Sequence, residues 1–115
     1  MKQPSFESPR ALYEVLVGLF PSFAAEWDDD EWEDAINPPS FHCVFMSFAP
    51  IASEVLEQSS DGKRERFCAL IDHLVECGGD RENAVSTCFL EHASQIGVRR
   101  LIQPYLSIAA KAELR

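Results

Sequence analysis

Apolar residues recur along this chain at intervals of three and four, the spacing that gathers side chains onto one face of an α-helix. Leu12, Val15, Leu16 and Leu19 form the first such stripe. Ser8-Pro9 ahead of it offers a capping hydroxyl and a proline suited to a first helical turn, and Pro21 ends it. A longer stripe, Phe41, Val44, Phe45, Phe48, Ile51, Ala52, Val55 and Leu56, follows Ser40 as N-cap. Pro50 falls inside this stripe. Having no N–H and a ring that crowds the preceding turn, it should kink or divide the helix. Beyond a turn at Ser59-Ser60-Asp61-Gly62, the residues Phe67, Leu70, Ile71, Leu74 and Val75 mark a helix that ends at Gly78-Gly79. Asp80 is the expected cap of the next, which carries Val85, Cys88, Phe89, His92 and Ile96 and closes at Gly97. The last stripe is Val98, Leu101, Ile102, Tyr105 and Ala109, interrupted by Pro104.

No segment alternates with a period of two. The pattern predicts an all-α fold, a single compact bundle of five to six helices over residues 1–115. The short connection Gly78-Gly79-Asp80 implies an antiparallel hairpin around residues 62–96. No fixed long period supports a solenoid. With 115 residues and 46% hydrophobic side chains, such a chain should bury roughly two-thirds of its unfolded surface without help from a metal or disulfide.

One segment resists this reading. Phe23 and Trp27 share a helical face, but seven of the nine residues from Glu26 to Asp34 are acidic. Aspartate is a poor interior helix residue and neighbouring carboxylates repel, so a break or a short, weak helix is expected before Asn37-Pro38-Pro39 stops it.

That acidic run belongs to a wider asymmetry. Between Ala11 and Gly62 there is no Lys or Arg, while eleven carboxylates give this stretch a charge of −11. The two flanking stretches carry one net positive charge each, so the whole imbalance of the chain, −9, sits in its first half. Nucleic acid and anionic membranes, which need a basic surface, are therefore not expected partners. A solvated loop would account for the charge, and so would a surface that steers a basic protein into contact. On the second reading the contact residues are Asp28, Asp29, Asp30, Glu31, Trp32, Glu33 and Asp34. Trp27, in register with Phe23, is expected in the core, whereas Trp32 suits either core or interface.

Candidate chemistry is sparse. The opening ten residues hold no apolar stretch and no run is long enough to span a bilayer, so Cys43, Cys68, Cys77 and Cys88 are expected as reduced thiols in a cytoplasm. His73 with Cys77, and Cys88 with His92, have the spacing of paired helical ligands, but helical rise separates the two pairs. Cys68, Cys88 and His92 could form a three-ligand site, or Cys88 and His92 a nucleophile pair. The simpler reading makes Cys68 and Cys88 small core residues and His92 a core histidine, with His42 exposed. No phosphate loop, nucleophile elbow or zinc-protease helix occurs. A non-enzyme without metal or cofactor is expected.

Several further strings stand out: Leu19-Phe20-Pro21, the stretch from Phe41 to Pro50, Arg66-Phe67-Cys68-Ala69-Leu70-Ile71, the stretch from Ala84 to Glu91, and Ile102-Gln103-Pro104-Tyr105-Leu106. Together they resemble a family of small, acidic, all-helical bacterial proteins of uncharacterised type, often found as immunity proteins beside polymorphic or contact-dependent toxins. The strings are apolar helical patterns rather than functional motifs, so the resemblance transfers no site residue. It implies a helical fold and an immunity or inhibitor role, in which the chain binds and neutralises a cognate toxin domain. Joined to the charge map, it makes that toxin a basic protein. The alternative is a non-catalytic adaptor that docks a partner in an apolar groove between its helices.

Overall fold

Serine hydroxyls start four of the six α-helices seen among the described residues. A computed structural model describes residues 8–27 and 39–115. In it, α1 spans Pro9–Leu19, α2 Phe41–Glu57, α3 Asp61–Cys77, α4 Gly79–Cys88, α5 Arg99–Ile102 and α6 Ile108–Ala112. Ser8 caps α1 by accepting from Ala11 N at 3.1 Å, and Ser40 caps α2 from Cys43 N at 3.3 Å. Ser60 caps α3 from Lys63 N and Ser107 caps α6 from Ala110 N, both at 3.2 Å. Each bond satisfies one amide that the first helical turn leaves without a partner.

Short 3₁₀ segments are seen at Pro21–Glu26, Leu90–His92 and Gln103–Tyr105. The break or weak helix expected across the acidic run from Glu26 to Asp34 falls mostly outside the described residues. Asp61 and Gly62 belong to α3 rather than to the turn before it.

Two helices differ from their stripes. Helix α2 runs unbroken through Pro50. The proline ring points outward and Pro50 is exposed, so the helix gives up one amide donor without being divided. Helix α4 departs more. Its N-cap is Gly78, with φ +67°, and not Asp80. Asp80 and Glu82 lie in its first turn, where carboxylates favour the helix N-terminus. It stops at Cys88 instead of running to Ile96. The bond from Ser94 N to Leu90 O that would carry an α-helix through this region is replaced: Arg115 N donates to Leu90 O and Ser94 N donates to Arg115 O, both at 2.9 Å. The break itself is at Phe89, whose φ of −133° and ψ of −65° leave the helix, and Arg115 pairs with the turns that follow.

The last stripe also shifts. Pro104 lies in a 3₁₀ turn and Ser107 begins a new helix, so Leu106, Ala110 and Leu114 face inward while Ala109 is exposed. Asp72 on α3 accepts from Ser107 N at 2.9 Å and fixes where α6 starts.

Helices α3 and α4 join through Gly78 and pack on each other, and α4 also packs on α2. The centre of this packing is aromatic. Phe48 on α2 is fully buried, with ring centroids 5.5 Å from Phe20, 5.3 Å from Phe23, 5.5 Å from Phe67 and 6.0 Å from Phe89. Trp27 is buried too, 5.5 Å from Tyr13 and edge-on to Phe23, as its register with Phe23 implied. Removing one such ring from a core costs about 3–5 kcal/mol. Arg64 then ties α3 to the end of α2, donating from Nε to Leu56 O at 2.8 Å and from Nη2 to Glu57 O at 3.2 Å. A cation on the last carbonyls of a helix complements its dipole.

Candidate functional site

The acidic segment chosen from sequence lies mostly outside the described residues: Asp28, Asp29, Asp30, Glu31, Trp32, Glu33 and Asp34 all do. What flanks it is described. Its leading edge, Glu26, is exposed, and Trp27 behind it anchors the chain into the core. On the far side, Phe41 opens α2 with the guanidinium of Arg81 5.4 Å from its ring centre. His42, expected to be exposed, is half-buried, with Asn83 Nδ2 3.2 Å from its Nε2.

Five of the eleven carboxylates between Ala11 and Gly62 are described: Glu14, Glu26, Glu54, Glu57 and Asp61. Glu57 meets Arg100 at 2.7 Å and Glu14 meets Arg10 at 3.5 Å, both pairs exposed. Asp61 accepts from the Tyr105 hydroxyl at 3.0 Å, a bond that raises the Tyr105 pKa. Glu26 and Glu54 are exposed and have no ion pair among the described residues. Among the described residues, Arg100–Glu57 is the ion pair that joins the C-terminal half to a carboxylate of the acidic half. Exposed pairs of this kind contribute at most about 1 kcal/mol each.

A second surface feature is an open groove of about 460 Å³ lined by Met46, Ala49, Pro50, Thr87, Cys88, His92, Gln95 and Ile96. Helix α2 forms one wall and the end of α4 with its following turns forms the other. Met46 is 64% exposed, and Ala49, Cys88 and Ile96 are half-buried. The groove exists because α4 stops at Cys88. Had it continued, His92 and Ile96 would have followed Val85 and Phe89 into the core, as the stripe suggested. Instead His92 is exposed and its Nδ1 lies 2.8 Å from Gln95 Oε1. One signal for the groove was present in the sequence: Met46 is a large apolar residue that stands off the Phe41–Leu56 stripe.

The cysteine and histidine readings separate in the same way. Cys68 is wholly buried and its thiol donates to Ile102 O at 3.5 Å. Burial, with the Asp72 charge adding to it, pushes this thiol up to about 12, so it stays protonated and inert. Cys88 and His92 line the open groove, and the group on the imidazole is an amide rather than an orienting carboxylate. Cys43 and Cys77 are exposed. Among the described residues no three His, Cys, Asp or Glu side chains are placed to hold a metal ion. No described helix is long and apolar enough to cross a membrane.

Residues 13–115 match the family described as Domain of unknown function (DUF7674), and the chain belongs to that family. Neither a curated protein nor a solved structure matches it.

Proposed function

We propose that this member of the family is a non-catalytic binding domain for a basic protein, and that it acts as an immunity or inhibitor protein by capturing and neutralising a toxin domain. One observation carries the reading: 52 successive residues, Ala11 to Gly62, hold eleven carboxylates and no cation. Charge crowded in this way opposes the compact state of the free protein, and a cationic partner that cancels it gains both affinity and a steered approach. Glu26 and Glu54, exposed and without an ion pair among the described residues, fit the same role. Asp28, Asp29, Asp30, Glu31, Glu33 and Asp34 supply the contact carboxylates, and Trp32 an aromatic anchor beside them.

The test is co-expression with the product of the adjacent upstream gene. The expected result is rescue from its toxicity and a co-purifying complex. Changing Asp28, Asp29 and Asp30 together to Lys should slow association and weaken the complex, most strongly at low salt, where charges are least screened. A complex indifferent to both the substitutions and the salt would refute recognition through the acidic face. The exposed Met46 and its groove favour a second reading, an adaptor that docks an apolar helix with little dependence on salt.

A further inference from the structure

Helix α5 and the turn before it form a pocket whose charge is opposite to that of the chain. Gly97, with φ +76°, turns the backbone after Ile96, and the amides of Val98 and Arg99 then donate to Ala93 O at 2.9 and 3.3 Å. Val98, Leu101 and Ile102 are buried. At helical spacing their burial directs Arg99, Arg100 and Gln103 outwards, and all three are exposed. With Ser94 and Gly97 they line an open pocket of about 320 Å³, and none of these five residues is a carboxylate.

The side-chain donors here are largely unengaged. Among the described residues, the Arg99 guanidinium and the Gln103 amide have no hydrogen bond or ion pair. Arg100 gives Nη2 to Glu57 Oε1 at 2.7 Å, which uses one of its N–H groups. Ser94 is wall rather than donor, because its amide and its hydroxyl both go to Arg115 O. Two guanidiniums from successive residues, with an amide beside them, select an anion. A guanidinium fork matches the paired oxygens of carboxylate or phosphate. Two forks need an anion whose oxygens point in more than one direction, which a tetrahedral phosphate has and a planar carboxylate lacks. The pocket is at the small end of ligand sites and no apolar side chain lines it, so it suits a compact polar group.

We propose that this pocket binds the phosphate group of a small molecule, with Arg99, Arg100 and Gln103 donating to its oxygens. The site is separate from the capture of a basic protein and stands or falls without it. The net charge of −9 opposes any anion, so affinity comes from local, directed bonds rather than from the field of the whole molecule. Glu57 is the ligand's rival for Arg100.

The test is a titration of the full chain with inorganic phosphate at about pH 7.5, where the anion is mostly doubly charged. Sodium chloride keeps the ionic strength constant, and NMR follows the backbone amides of Arg100 and Gln103. Both should shift saturably with phosphate and far less with acetate. Arg99→Gln should weaken phosphate binding at least about tenfold. Arg66→Gln, which removes an equal charge at an exposed residue outside the pocket, should weaken it far less. Glu57→Gln should tighten binding, because it removes both a competitor for Arg100 and a like charge. Shifts that drift without saturating, an equal response to acetate, or equal losses in the two arginine variants overturn the proposal. So does a Glu57→Gln protein that binds phosphate no better.

Discussion

At Glu113, just beyond α6, one carboxylate oxygen is shut off from solvent without a hydrogen-bond partner among the described residues. Its surroundings repel its charge. Partial burial acts first, then a hydrogen bond shared with the Glu82 carboxyl, then the charges of Glu82 and Glu91, and together they hold the Glu113 pKa above its ordinary value. A Ser86 hydroxyl pulls the other way and does not cancel them. The folded protein therefore binds this proton more tightly than the unfolded chain does. The associated stabilisation is complete below the ordinary glutamate pKa and is lost as pH rises through the elevated native value. At neutral pH the native state carries the repulsion. Glu113→Gln keeps the shape and removes the charge, so it should raise the melting temperature at pH 7, with the gain shrinking as pH falls towards 4. Thermal denaturation of both proteins across that range checks this. A difference that stays constant with pH would place the effect in packing rather than in the proton.

Elements show which forces a sequence displays and which it hides. Ser8 and Ser40 and the helices behind them are local matters, set by a hydroxyl and a stripe within four residues, and the structure places them where the pattern does. The end of α4 is not local. Phe89 leaves the helical conformation, and beyond it Arg115, more than twenty residues away, bonds Leu90 O and Ser94 N; no apolar period encodes that pairing. His92, on the stripe but exposed in the structure, departs from the pattern here, while Ile96 stays half-buried against the core. The acidic candidate site was legible as charge alone, since composition fixes a sum and not the position of its members. Local rules do support a prediction on α1. Gly18 sits near the end of that helix, exposed, with no atom within 4 Å of where a Cβ would lie. Gly18→Ala should therefore stabilise the fold by about 0.5–1 kcal/mol, through the backbone entropy that glycine loses in a helix. Urea denaturation with an unchanged m-value would register it as a shift in midpoint.

On the scale of the whole molecule, charge and packing oppose one another. The aromatic cluster around Phe48 draws α1, α2, α3 and α4 together, while six of the eleven carboxylates of the acidic half, Asp28 to Asp34, lie outside the described residues. Among the described residues, Arg100 is the one cation from beyond Gly62 that forms an ion pair with a carboxylate of that half. Repulsion between exposed charges acts over a distance of about 10 Å at 0.1 M salt, so it should yield to ionic strength. Raising sodium chloride from a few millimolar to a few hundred should therefore increase the melting temperature of the free protein. Converting Asp28, Asp29 and Asp30 to Lys should do the same at low salt and abolish much of the salt response. A gain of about 1 kcal/mol would appear as a rise of several degrees in a domain of this size. The same three substitutions are expected to weaken capture of a basic partner, so stability and binding should move in opposite directions in one variant. A loop whose carboxylates are merely solvated would show neither change, because repulsion that is the same in the folded and the unfolded chain cancels from the stability. Calorimetry of the triple variant alone, before any partner is in hand, thus separates a surface held under electrostatic strain from an inert acidic loop.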